Sequence, residues 1–378
     1  MKPSTSQIRT YTIQQWLFEE AQGAFEIDLG ESGIQHHYLR DLEPDPAFDL
    51  NYSQDRGNEE LRARIGELYG AGPENIIITH GSQEALYLFY GCHVGPADHV
   101  LTFTPGWQQS WEVPVHLGAQ VTKIALTQDS GYAIDWQAVS DNLRDNTRLL
   151  ILCSPNNPLG TTLSESDWKQ LEGLCAQRGI QALVDEEYRT DYGGSAFNRV
   201  SGYAVSSLSK IYGFPGLRIG WLVGDKEAVD QMVNLKRYTS VCNSSLCEQL
   251  ALQVLGENRG HYLERFERLC HGGLTILREW VQAQPALSLI EPQGTPFAYL
   301  AYDGPGTSAE FCRRLLREQS VLLMPAEVFE DRQAVRLSFG READVLRAGL
   351  DRIGSLLAAT GAHPLGNSVR RAPYIEET

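Results

Sequence analysis

No stretch of the chain approaches the run of about 18 apolar residues that a membrane-spanning helix requires. The polar segment from Met1 to Thr10 also lacks the apolar core of a secretion signal. Both absences point to a cytoplasmic protein. Cysteine is sparse: Cys92, Cys153, Cys175, Cys242, Cys247, Cys270 and Cys312 are odd in number, scattered, and never spaced as a zinc pair. They read as reduced thiols, with no metal site among them. Basic clusters are missing too. With 32 Lys and Arg against 48 Asp and Glu, the formal charge is −16, and no cationic face exists to follow a phosphate backbone, which excludes nucleic acid. What is present is a chain of 378 residues, 42% hydrophobic and 21% charged. That is enough for one large domain with a full core and a smaller one.

Short β-rich runs alternate with helical patterns. Glu74 to Thr79 reads as a buried strand stopped by Gly81-Ser82, and Gln83 to Tyr90 then places apolar residues at helical spacing. Val100–Phe103, Gln120–Ala125, Arg148–Cys153, Gln181–Val184, Tyr203–Ser206 and Gly220–Val223 are further strand candidates, with a helical pattern over Ser164–Arg178. This alternation implies an α/β fold with a mostly parallel sheet flanked by helices. After about Asn243 the texture becomes a long helical stretch to Gln284, then Leu287 to Tyr302, a helix near Ser308–Glu318, and Ala334–Ser338 before a closing helix. The expected organisation is an arm and substrate-site segment over 1–45, a large domain over 46–240, a small α+β domain over 241–361, and a loosely ordered tail over 362–378.

One run carries chemistry. Ser206-Ser207-Leu208-Ser209-Lys210 sets a lysine among hydroxyl and apolar residues, with Arg218 eight positions later. Surface lysines keep charged company and cores exclude them, so this setting implies a partly desolvated amine with a lowered pKa. A neutral amine forms a Schiff base, and Ser207, Ser209 and Arg218 suit a phosphate, which together suggest pyridoxal phosphate. Taken alone, the run also suits an ordinary loop lysine.

Such a cofactor makes further demands. Its ring nitrogen needs a carboxylate, and Asp185 closes the apolar strand Ala182-Leu183-Val184, where open α/β sheets place ligands. Tyr188 lies within reach of a ring hydroxyl; a helix cap is the other reading of Asp185. Ser154-Pro155-Asn156-Asn157-Pro158 holds more asparagine than a turn needs, so Asn157 is a candidate amide donor. Gly81-Ser82-Gln83 opens a helix whose amides favour an anion. Trp107, just past a strand end, suits either ring stacking or core filling. Arg336 lies inside Val335-Arg336-Leu337-Ser338, where an inward charge requires an anionic partner such as a substrate carboxylate.

Together these segments resemble the aspartate aminotransferase family, fold type I of the pyridoxal phosphate enzymes, over about Asp28 to Leu357. Asn157-Pro158 with Gly160, Asp185 with Tyr188, Ser207-Leu208-Ser209-Lys210 with Arg218, and Arg336 fall in the family's order. The resemblance implies that Lys210 carries the cofactor, that Asp185 pairs with the ring nitrogen, and that Asn157 and Tyr188 bond the ring hydroxyl. It implies phosphate contacts from Gly81, Ser82, Gln83, Ser207 and Arg218, with Trp107 stacked on the ring. It also implies a homodimer in which Tyr52 reaches the partner's site.

The family does not by itself settle the reaction. The segment Ile27 to Tyr38 departs from the Gly-x-Pro turn usual in its transaminases and brings in His36 and His37. It is similar to that of the capreomycidine synthase and enduracididine types, which cyclise a hydroxylated arginine. By their residue types Asp28 and Glu31 suit a cationic side chain and His36 or His37 a proton shuttle near neutral pH, a solvated polar loop being the other reading of the segment. The alternative is an aminotransferase that uses a keto-acid acceptor.

Overall fold

The structure is a computed structural model and describes residues 8–359; the tail expected over 362–378 lies outside them. In chain order the strands are β1 (Ile27–Asp28), β2 (Ile76–His80), β3 (His99–Thr104), β4 (Gln120–Ala125), β5 (Thr147–Cys153), β6 (Gln181–Asp185) and β7 (Tyr203–Ser207). They continue as β8 (Ile219–Val223), β9 (Leu287–Ile290), β10 (Phe297–Tyr302), β11 (Val321–Leu322), β12 (Met324–Pro325) and β13 (Ala334–Ser338).

Seven of these form the large sheet, ordered β2-β8-β7-β6-β5-β3-β4. Its neighbours run parallel from β4 across to β7, and β8 is antiparallel to both β7 and β2. Leu183, Val184, Ala204 and Val205 are fully buried, as expected where helices cover both faces of a parallel sheet and leave no alternation of polar residues. Cys153 pairs with Asp185, and Asp185 with Val205. The carboxyl ends of β5 and β6 are therefore level, β7 runs two residues further to Ser207, and such strand ends form the crevice in which these sheets bind ligands.

The helices between strands start and stop where their ends are satisfied. Ser164 and Asp167 form a reciprocal capping box at the start of Glu165–Arg178, and Gly179 ends that helix in the left-handed region.

A separate antiparallel sheet, β12-β13-β10-β9, lies in the C-terminal part, with Tyr299 of β10 opposite Arg336 of β13. The N-terminal arm joins this core: Ile13, Trp16, Ala21 and Leu29 are buried with Leu300, Leu315 and Leu350. The Trp16 indole donates to the Leu323 carbonyl at 3.0 Å, and β1 pairs with β11. Ile34 instead belongs to the core under the large sheet, so residues 29–34 cross from one core to the other. Helix Arg259–Val281 bridges the same two cores, with Tyr262, Phe266 and Leu269 in one and Ile276 and Leu277 in the other. Among the described residues, no helix is long and apolar enough to cross a membrane.

Candidate active site

The crossing segment brings Glu31 to Lys210. Lys210 Nζ donates to Glu31 Oε1 at 2.6 Å, both side chains being partly exposed. Burial opposes the carboxylate, but the Lys210 ammonium, with Arg336 and Arg341 beyond it, holds the Glu31 carboxyl down to about 2. The segment is pressed against the lysine loop: Ile34 N donates to Lys210 O at 3.1 Å, and a Cβ on Gly33 would stand 3.0 Å from Ser209 O. Glycine permits that approach.

Two buried arginines lie beneath. Arg336 is 3% exposed. Its Nη1 donates to Asn157 Oδ1 and its Nη2 to Gly30 O, both at 2.6 Å, while Nε is buried without a partner. Phe297 and Phe329 flank its guanidinium at 5.2 and 5.0 Å. Arg341 donates to the carbonyls of Asp28 (2.9 Å), Gly33 (2.7 Å) and Glu31 (2.9 Å), pinning the segment that carries Glu31. Asp28 faces its own loop, its Oδ1 accepting from the amides of Gly30 and Glu31 at 2.8 and 2.9 Å. Expected as part of a substrate clamp, it closes the turn that presents Glu31.

At the end of β6, Asp185 Oδ1 accepts from the Glu187 amide at 3.1 Å. Burial and then the Glu187 charge push the Asp185 carboxyl far above the usual range, against the opposing pull of Lys210. Glu187 accepts the Ser207 hydroxyl on Oε2 at 2.7 Å, and its Oε1 is buried without a hydrogen-bond partner. Tyr188 donates to Ser32 Oγ at 3.0 Å, and burial raises its pKa although Arg336 opposes this.

Helix Gly81–His93 begins at the carboxyl end of β2. Gly81 has φ of +73°, its amide donates to Arg218 O at 3.1 Å, and a Cβ there would collide with Arg218 Nη2. The arginine thus lies over the first turn, where Ser82 and Gln83 follow, and adds charge to a helix end that already attracts anions. Tyr11 from the arm packs edge-on against Trp107, centroids 5.8 Å apart. Its hydroxyl approaches the Gln83 side chain and feels the Asp185 charge, and burial raises its pKa.

Two expected positions, His36 and His37, lie elsewhere, and Tyr52, expected at a partner's site, lies at the surface. His36 is exposed and packs edge-on against Tyr38. His37 stacks on Phe214 at 4.5 Å and meets Asp41 at 3.1 Å; the structure places neither ring beside Lys210. The reason is local: His37 N donates to Gly213 O, which carries the chain past the lysine loop and out of the crevice. Tyr52 is 86% exposed, its amide bonded to neighbouring Asn51. Sequence reasoning missed Glu187, Arg341, Ser32 and Tyr11. Only Glu187 has a local signal, since it lies two residues after Asp185.

The signature of the family described as aminotransferase class I and II matches residues 49–353. The chain belongs to that family. Its fold is aspartate aminotransferase-like and its cofactor is pyridoxal phosphate. Capreomycidine synthase of Streptomyces vinaceus is 29% identical and covered over 94% of both chains. Aspartate aminotransferase of Thermotoga maritima is 26% identical, over 82% of this chain and 84% of that protein. A solved pyridoxal phosphate-dependent aminotransferase from Streptococcus suis superposes with a TM-score of 0.89 at 27% identity, over 94% of this chain and 99% of that one.

The residues present fit the family's cofactor. A buried carboxyl with a raised pKa lies at Asp185, an amine lies at Lys210, and Gly81 leaves room for Arg218 to approach the helix start.

Proposed function

We propose that this enzyme converts a hydroxylated arginine to a cyclic guanidine amino acid, with Lys210 as cofactor-bearing lysine and proton carrier. The observation that carries the reading is the Glu31–Lys210 ion pair, because it sets a carboxylate held ionised beside the reacting amine. Once Lys210 carries the cofactor its ammonium charge is gone, and Glu31 is left to take another cation. A guanidinium matches that carboxylate in two parallel hydrogen bonds. The likeness to capreomycidine synthase supports the same assignment.

The remaining roles follow from position. Asp185 pairs with the ring nitrogen, Asn157 and Tyr188 with the ring hydroxyl, and Trp107 with the ring face. Gly81, Ser82, Gln83, Ser207 and Arg218 hold the phosphate, and Arg336 receives the substrate's α-carboxylate. Bound pyridoxal phosphate supplies an electron sink next to Cα. Lys210 Nζ takes the Cα proton and gives it to the departing Cβ hydroxyl, which leaves as water. A guanidine N–H nitrogen forms the new C–N bond, and the proton it sheds returns to Cα through Lys210. A Cγ hydroxyl leaves in the same way only after a Cβ proton is also removed. Glu31 holds the guanidinium against the carbon it attacks, and such orientation contributes rate directly.

We also read the enzyme as a homodimer. Leu50, Tyr52, Tyr238 and Val241 are exposed at 75, 86, 84 and 50%, on loops joined by the Ser245–Asn51 and Arg237–Asp55 hydrogen bonds. A second copy covering this face would receive Tyr52.

Likeness to aspartate aminotransferase favours a second reading, transamination with a keto-acid acceptor. Stoichiometry separates the two. Incubation with 3- or 4-hydroxyarginine and no keto acid yields a product lighter by one water if the enzyme is a cyclase. Conversion of the cofactor to its amine form, with a keto-acid product, establishes the aminotransferase instead.

A further inference from the structure

Ser32 and Tyr188 meet hydroxyl to hydroxyl. Tyr188 Oη donates to Ser32 Oγ at 3.0 Å across 156 residues of sequence, and the two residues are 3% and 4% exposed. Both oxygens are held by contacts outside the pair. Arg341 binds the carbonyls on either side of Ser32, those of Glu31 at 2.9 Å and Gly33 at 2.7 Å, and Ile34 N donates to Lys210 O. The Tyr188 ring packs edge-on against Phe297, centroids 5.1 Å apart. The oxygens therefore stay in contact whichever of them donates, and only their hydrogens are free to turn.

A phenol has one proton to give. It goes to Ser32 here, so Tyr188 donates to a ring oxygen only by withdrawing it. Two buried oxygens would then face each other with no hydrogen between them, unless Ser32 reverses and donates its own. A serine hydroxyl carries both a donor and acceptor lone pairs, so it can make that exchange, and alanine cannot.

We propose that Ser32 is a positioning residue for the ring hydroxyl of the cofactor. Resting on the reading that Tyr188 bonds that hydroxyl, cofactor binding turns the Tyr188 hydrogen to the ring oxygen and the Ser32 hydrogen to Tyr188 Oη. Two O–H groups rotate; no bond breaks and no electron is transferred. The chain from Ser32 through Tyr188 to the ring oxygen is polarised along its length, each bond strengthening the next. The residue beside Glu31 thereby tunes the ring, and joins the segment that faces the substrate to the cofactor.

The test uses holoenzyme and the pH at which its visible absorbance band changes as the Lys210–cofactor linkage loses its proton. A hydrogen bond to the ring oxygen stabilises the negative charge left there by that loss, and so lowers this pH. Ser32→Ala should raise it by roughly half a unit, about threefold in proton affinity, and Tyr188→Phe should raise it further. Ser32→Thr keeps the hydroxyl and should stay with wild type. Adding Ser32→Ala to Tyr188→Phe should change nothing more, because the chain is already cut. Arg336, Cys153 and Glu187, the charged and titratable groups around Tyr188, are common to all the variants. A Ser32→Ala band change at the wild-type pH or below, a Ser32→Thr band change that follows Ser32→Ala, or a Ser32→Ala shift that persists without the tyrosine hydroxyl overturns the proposal. A Tyr188→Phe band change at the wild-type pH overturns the placement of Tyr188 on the ring hydroxyl as well, and is read separately.

Discussion

Lys210 Nζ and Glu31 Oε1 stand 2.6 Å apart although 179 residues separate them in sequence. Each is the other's counter-ion until the lysine is bonded elsewhere. The Glu31 carboxyl falls to about 2 from an ordinary value of 4.5. A depressed acid contributes stability above its unfolded pKa and loses it as pH falls through the folded one. Urea unfolding of the apoenzyme should therefore weaken between pH 4.5 and 2, and Glu31→Gln should weaken less over the same window.

Arg341 holds the loop that presents Glu31. Arg341→Lys keeps the charge but loses the planar fork that reaches the carbonyls of Asp28, Glu31 and Gly33. Leaving these partly buried carbonyls unpaired is expected to cost about 1–3 kcal/mol in urea unfolding. KM should rise more than kcat falls, because the substrate-facing segment is displaced while Lys210 and Asp185 stay in place.

Gly81 is intolerant for two reasons, a φ of +73° and a Cβ position that would collide with Arg218 Nη2. Gly81→Ala should displace that arginine and lower cofactor affinity roughly tenfold or more in an absorbance titration, the loss expected for a charged hydrogen bond of about 1.5–3 kcal/mol. Circular dichroism should show the fold retained.

His99, fully buried, lies 2.8 Å from Thr147 Oγ1 and 2.9 Å from Thr122 Oγ1. Burial, aided by Arg144, lowers its pKa from 6.5 to about 4. The unfolded chain binds the proton first, so stability is full above pH 6.5 and declines toward pH 4. The thermal midpoint should drop over that interval, and His99→Gln should flatten the drop.

The parallel sheet was legible because its central strands are short apolar runs bounded by turn residues, and Asp185 because it ends one of them. Lys210, Asn157 and Arg336 were legible through their neighbours in sequence. Arg341 was not, because each of the three carbonyls in its segment lies more than 300 residues away. The surroundings of His36 and His37 were hidden for a related reason. Their residue type suits proton transfer, but the direction of the chain after Gly33 is decided by backbone bonds to Lys210 and Gly213. The arm shows the same limit: Trp16 has no local reason to join a core whose hydrogen-bond acceptor is Leu323.

In the proposed function Glu31 exchanges Lys210 for the substrate's guanidinium. Its most direct test compares kcat/KM for hydroxyarginine with that for the matching hydroxycitrulline, in wild type and in Glu31→Gln, with product mass as the readout. The two substrates share every reacting atom except the charged nitrogen, so general damage to catalysis cancels in the ratio. The expected result is a wild-type preference for the guanidine that falls by roughly tenfold or more in the variant, the scale of a charged hydrogen-bonded pair of about 1.5–3 kcal/mol. An unchanged ratio would contradict it.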